Sequence, residues 1–293
     1  MFALDRMLEC SDNPITPPAP GFLAAHAIVP PTLLIVAERD EIRSALEHTL
    51  RLYGVRHVQS VPESLAATTA AKMVPDVIVV GADHQIDRSA AVIRQFRADL
   101  VTRHTPIVAR VGATSQSSND ALRNAGADRV LLATTESSTL INTVIRLSDV
   151  PEPCRALREL RRSLAGIRQR AGDTRTDASA VRVRTAQLSS ALQQFRLCML
   201  AAESNGTCVA VNATTSAVTG LPRGELVGKH LWDIVASSGR DLRTSWESIV
   251  VVGAINTPCV IRRRDGAGLQ ADMCAAAAIL PDLHVAAIQT TTP

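Results

Sequence analysis

Aromatic side chains are almost missing from this chain of 293 residues: two Trp, one Tyr and four Phe make up 2% of it. Its cores must therefore be built from Ala, Val, Leu and Ile. Lysine is nearly missing too, since Lys72 and Lys229 stand alone among 31 basic residues, a usage that fits a GC-rich genome and says little about mechanism. There is no excess of one charge. A formal net charge of +3 with 46% apolar residues excludes a disordered polyelectrolyte and argues against a chain built mainly to bind nucleic acid. The six cysteines, at 10, 154, 198, 208, 259 and 274, show no CxxC spacing. This excludes a zinc ribbon or a small disulfide scaffold and fits a reducing cytoplasm. Apolar runs such as Ile249–Ile255 are too short to cross a bilayer. Asp5, Glu9 and Asp12 near the start, with no basic opening, argue against a signal peptide. No membrane partner is expected.

What is present falls into segments. Residues 1–31 carry Pro14, Pro17, Pro18, Pro20, Pro30 and Pro31 and are expected to form a loose tail. Residues 32–149 alternate short apolar runs with helical periodicity. The strands read Leu33–Ala37, Val55–Ser60, Val77–Val80, Ile107–Val111 and Val130–Leu132. Between them, Ile42, Leu46, Thr49, Leu50 and Tyr53 share one helical face. Val92, Ile93, Phe96 and Leu100 share another, as do Leu140, Ile141, Val144 and Leu147. Ser60 followed by Glu63 reads as a capping box. Five strand–helix units imply a parallel sheet covered on both faces, a flavodoxin-like doubly wound α/β fold.

Residues 154–199 carry an apolar seam at 3,4 spacing that includes Leu157, Leu160, Leu164, Ile167, Val181, Leu188, Leu192 and Phe195. Such a seam predicts a long helical linker of about 65 Å that dimerises as a coiled coil, so a homodimer is expected. Gly172 marks a place where it could break, and two helices packing on their own domains is the competing reading. Ten Arg against three acids give this segment a basic face, which reads as a solvated surface or as a docking site for an acidic partner.

Residues 197–292 read as α+β with an antiparallel sheet. Ser204-Asn205-Gly206 suits a hairpin turn, and Asp265-Gly266 between two apolar runs is a second hairpin signal.

The first segment resembles the receiver domain of two-component response regulators. The likeness rests on Leu34-Ile35-Val36 before an acidic cluster, Pro75-Asp76-Val77-Ile78-Val79-Val80, Thr105-Pro106-Ile107-Val108 and Gly126-Ala127-Asp128. The resemblance implies a site at the carboxyl ends of the strands. There an acidic pair holds Mg²⁺, an Asp accepts phosphate, and a Ser/Thr and a Lys contact the phosphoryl oxygens. Those roles fall on Ala37 and Glu38, Gly81, Val111 and Ala133, so four of five positions lack the required group. Glycine has no side chain to phosphorylate. A slipped alignment nominates Asp83 as acceptor.

The last segment resembles a PAS domain, through Glu203-Ser204-Asn205-Gly206, Val209-Ala210-Val211-Asn212, Glu225-Leu226-Val227-Gly228-Lys229, Leu231-Trp232-Asp233-Ile234-Val235 and Arg262-Arg263-Arg264-Asp265-Gly266. Asn212, Trp232, Asp265 and Gly266 are its expected structural residues, with Asn212 fixing a loop by hydrogen bonding. His230 and His284 read as surface residues. Ala275–Ala278 reads either as a pocket for a small-molecule ligand or as tight packing. No cofactor, metal site or catalytic residue is expected. The resemblances together imply a non-enzymatic, cytoplasmic signalling protein: a pseudo-receiver and a PAS module that contact a kinase or another regulator, without nucleic acid. The competing reading is an atypical response regulator or a ligand-gated regulator that places the Arg-rich helix on DNA.

Overall fold

A computed structural model describes residues 31–82, 85–112, 116–167, 178–237 and 241–291. The first half forms a five-stranded parallel sheet from β1 (Thr32–Val36), β2 (His57–Val61), β3 (Val77–Gly81), β4 (Ile107–Val111) and β5 (Arg129–Leu132), in the order β2-β1-β3-β4-β5. Between them run α1 (Asp40–Leu52), α2 (Ala66–Met73), α3 (Ile86–Ala98) and α4 (Gln116–Ala125), and α5 (Ser137–Ser148) follows β5. Side chains alternate along each strand. Leu34, Val36, Ile78, Val80, Ile107 and Ala109 face α2, α3 and α4. Leu33, Ile35, Val77, Val79 and Val108 face α1 and α5, where Leu46, Leu50, Leu140, Ile141 and Val144 are buried. The flavodoxin-like expectation holds, because strands covered on both faces must be apolar throughout. The capping box does not. A short 3₁₀ turn precedes α2, Ser60 donates to Glu47 (2.7 Å), and Glu63 is buried beside α3, where Ser89 donates to it (3.2 Å).

The second sheet is antiparallel and six-stranded. It contains β6 (Cys198–Glu203), β7 (Cys208–Val211), β8 (Val235–Ser237), β9 (Ala254–Arg262), β10 (Gly268–Leu280) and β11 (Leu283–Thr290), ordered β7-β6-β11-β10-β9-β8. One face packs on short helices α8 (Ala213–Thr219), α9 (Arg223–Leu226), α10 (Leu231–Ile234), α11 (Leu242–Glu247) and α12 (Ile249–Val252), around a fully buried Trp246. Both expected hairpin turns form. Gly206 sits at φ +81° under the Trp232 ring, whose nearest atom would lie 2.2 Å from an added Cβ, so only glycine fits there. Gly266 takes φ +82° between β9 and β10.

The seam expectation is corrected here. Two helices, α6 (Glu152–Ser163) and α7 (Ala178–Leu192), flank residues 168–177, which include Gly172 and lie outside the described residues. Leu157, Leu160, Leu164, Leu188 and Leu192 are buried in one cluster with Met199, Ala201, Cys274, Ala276, Val285 and Ala287, and Ile167 and Phe195 pack at its edge. The described part of the stripe thus covers the outer face of the chain's own second sheet. The side chain of Val181 lies outside the described residues. The physical reason is the sheet itself: its outer face carries Met199 and Ala201 of β6, Cys274 and Ala276 of β10 and Leu283, Val285 and Ala287 of β11, an apolar surface that must be covered. No helix among the described residues is long and apolar enough to cross a membrane.

The α3–β4 loop of the first domain meets the second at Gly253. Arg103 and His104 donate to the carbonyls of Val251 (2.6 Å) and Val252 (2.7 Å). Gly253 has φ +87°, and an added Cβ would stand 2.6 Å from Arg103 Cδ. Helix α6 completes the joint. Arg162 and Arg158 reach the buried Asp76 carboxylate at 2.7 and 3.4 Å, while the backbone N–H of Thr32 donates to its other oxygen (2.8 Å). Arg161 donates to the carbonyls of Val101 (3.2 Å) and Ala277 (2.9 Å). All these contacts lie at the amino ends of β1, β3 and β4.

Candidate functional site

The crevice of a parallel sheet lies at the carboxyl ends of its strands. Here that end is formed by Ala37 and Glu38 after β1, Gly81 closing β3, Val111 closing β4 and Ala133 after β5. The ladder brings them side by side. Val36 pairs with Val80, Gly81 with Arg110, and Val111 with Leu132. Ala37 and Val111 are fully buried. Asp83 lies outside the described residues.

Two side chains crowd the place a Cβ would take on Gly81. A Cβ built on it would lie 2.9 Å from Ala37 Cβ and 3.0 Å from Ile42 Cγ2. Ile42 comes from the first turn of α1. That helix starts here because Asp40 and Glu41 complement its positive end, and Leu46 and Leu50 anchor it one turn apart. The position that would need a nucleophile therefore lacks the carboxylate, and a Cβ added there would press on Ala37 and Ile42 before reaching the cavity beyond.

The charges around this position are paired among themselves. The Arg43 guanidinium donates to the carbonyls of Ala37 (2.5 Å) and Glu38 (2.7 Å) and is ion-paired with Asp40. It thus places fixed positive charge beside the end of β1. Glu63 is buried and pairs with Arg88 at 2.8 Å, and Arg88 also approaches the exposed Glu38 at 3.7 Å. What is left is a cavity of about 240 Å³ lined by Glu38, Arg39, Ile42, Glu63, Gly81, Gln85 and Ser89. Among the described residues no group of three or more His, Cys, Asp or Glu is placed to hold a metal ion. From the sequence Ile42 was read only as part of a helical face and Glu63 only as a capping residue, and neither they nor Arg43 and Arg88 were placed at this crevice. The three-residue spacing of Asp40 and Arg43 was the available signal.

In the second domain Asn212 is 1% exposed and ties the end of α7 to the sheet. Its oxygen accepts from the N–H groups of Met199 (3.1 Å) and Thr215 (3.0 Å), and its amide donates to the carbonyls of Phe195 (3.1 Å) and Leu197 (2.7 Å). Trp232 stacks on His230 with ring centroids 4.7 Å apart. Asp265 accepts from the N–H of Ala267 (3.0 Å) and so closes the β9–β10 turn. Ala275 and Ala277 pack in the inner core and Ala276 on the outer face.

The reading of His284 as a surface residue is corrected: it is 2% exposed and meets Trp246 edge-on at 5.8 Å. Its Nδ1 accepts from the N–H of Ala278 (3.0 Å), which leaves the neutral ring's proton on Nε2 to donate to Ser204 Oγ (2.9 Å). Ala278 takes φ +48° to present that N–H, a conformation costly for a residue with a Cβ. Burial holds the His284 pKa below its usual value, with Asp282 opposing weakly.

No family model matches the sequence, and no curated protein sequence matches it. Among solved structures the chain is similar to the chemotaxis protein CheY4 of Vibrio cholerae, at 23% identity over 41% of this chain and 99% of that one (TM-score 0.38). It is also similar to a putative response regulator from Chloroflexus aurantiacus, at 25% identity over 41% and 98% (TM-score 0.38). The PAS domain of an HTR-like protein from Haloarcula marismortui is similar at 16% identity over 38% and 95% (TM-score 0.31).

Proposed function

We propose that this chain is a non-enzymatic signal-transduction protein in which a pseudo-receiver, unable to accept phosphate, is joined by a packed helical connector to a PAS-like module. Its output is protein contact, with a kinase or another regulator as the partner class. The observation that carries the reading is the glycine at the acceptor position, which has no side chain to take a phosphoryl group. Phosphoryl transfer needs a nucleophile with cationic neighbours poised around it. Gly81 supplies no nucleophile, a Cβ there would press on Ala37 and Ile42, and Arg43 is already committed to two carbonyls and Asp40. The strand order β2-β1-β3-β4-β5 supports the receiver-like half, and the antiparallel order supports the PAS-like half.

The DNA-binding alternative loses support because Arg158, Arg161 and Arg162 of α6 are engaged within the chain. The test is the intact mass of the full chain after incubation with acetyl phosphate and Mg²⁺. An unchanged mass is expected. A stoichiometric phosphoryl adduct, on Asp83 or any neighbour, would overturn the proposal.

A further inference from the structure

Two thiols that the signalling reading does not use meet across the connector. Cys154 lies in the first turn of α6, half-buried at the edge of the outer-face cluster. Cys274 lies on β10, 6% exposed, in the same cluster. Their side chains are hydrogen-bonded to each other. Gln289 of β11 donates to Glu152 at 2.8 Å and ties the start of α6 to the same face of the sheet. We propose that Cys154 and Cys274 form a peroxide-sensitive dithiol whose oxidation to a disulfide staples the connector helix to the second sheet.

The chemistry divides between them. Cys154 is the nucleophile. Its thiol is shifted below the usual value by the hydrogen bond from Cys274 and, against the opposing effect of burial, by the positive charge of Arg158 one turn away. Cys274 is the resolving thiol, held protonated by its bond to Cys154 and by burial. The Cys154 thiolate attacks one oxygen of a hydroperoxide: an S–O bond forms, the O–O bond breaks, and the alkoxide or hydroxide leaves and takes up a proton. The Cys274 sulfur then attacks the sulfenic sulfur of Cys154. The S–S bond forms, the S–O bond breaks, and hydroxide departs as water with the Cys274 proton. Two thiols lose two electrons and the peroxide gains them. The other buried thiols do not compete. Burial pushes Cys198 up to about 11 and Cys208 and Cys259 up to about 12, so they stay protonated.

The consequence lies in the joint. The same helix carries Arg158, Arg161 and Arg162 into the first domain, so a staple in its first turn sets how freely that joint moves.

The full chain is treated with equimolar hydrogen peroxide, alkylated, digested and examined by mass spectrometry. A peptide linked through Cys154 and Cys274 is expected, with two of the six thiols lost to alkylation. In Cys274→Ser, or Cys274→Ala should the serine variant fail to fold, Cys154 is expected to accumulate as a dimedone-reactive sulfenic acid. In Cys154→Ser, Cys274 should stay unoxidised. Linkage through any other pair, an untouched Cys154, or its overoxidation in the wild-type chain without linkage to Cys274 would sink the proposal.

Discussion

A methyl group placed on Gly81 would stand 2.9 Å from the Cβ of Ala37, on the neighbouring strand end. On the proposed reading, a carboxylate at this position would be crowded as well as absent, so restoring it is not expected to restore a phosphate acceptor.

Gly81→Asp is therefore expected to remain unmodified by acetyl phosphate and to lose about 1–3 kcal/mol of stability through overpacking. Adding Ile42→Ala should recover part of the loss, because it removes the second contact at 3.0 Å. Urea denaturation and intact mass measure the two effects. A phosphorylated, fully stable Gly81→Asp would refute the steric argument.

Asp76 is gripped by Arg158 and Arg162 and by the N–H of Thr32. Asp76→Ala leaves two guanidinium groups without their counter-charge at the joint between the domains. A loss of about 3 kcal/mol is expected. Calorimetry should show the domains unfolding as two separated transitions where the wild type shows greater overlap. A variant indistinguishable from the wild type would mean the joint does not depend on this ion pair.

Leu160 is fully buried against the second sheet. Leu160→Ala should cost about 2–5 kcal/mol and leave the oligomeric state unchanged by light scattering. If the variant instead converted a dimer to a monomer while keeping its stability, the stripe would belong to a subunit interface after all.

Stability should fall on acidification. His284 is buried with its folded-state pKa lowered, and burial lowers that of His104 at the joint as well, partly offset by its bond to the Val252 carbonyl. A depressed folded pKa means the unfolded chain binds the proton more readily. The stabilisation is fully present above the unfolded value of about 6.5 and is lost as pH falls toward the folded values. Arg97, Arg103 and Arg161 around His104 act in the same sense. Denaturation midpoints measured from pH 7.5 to 5 should decline, and His284→Gln should flatten the decline. An unchanged slope in that variant would remove His284 from the account.

Much of the first domain was legible because buried parallel strands are apolar without interruption, as at Val77–Val80. The filling of its crevice was not, because nothing in the spacing of Ile42 and Gly81 says that they touch. The connector's own cover was not legible for a general reason. A 3,4 stripe states that a helix has an apolar face and is silent about what covers it. The cover was itself inscribed further along, in the alternation of Met199, Ala201, Val285 and Ala287. The same alternation would have turned His284 inward, since Leu283 and Val285 on either side of it face the outer cluster.

The covered outer face also decides where this protein can be cut. A fragment beginning at Leu197 would keep every strand of the second sheet yet bare Met199, Ala201, Val285 and Ala287 to water, and should be sticky and aggregation-prone. A fragment beginning at Pro151 carries its own lid and should stay dispersed. The working unit of the second half is therefore the sheet together with both connector helices, and the seam between the domains lies before α6, where the chain passes from Ser148 to Glu152.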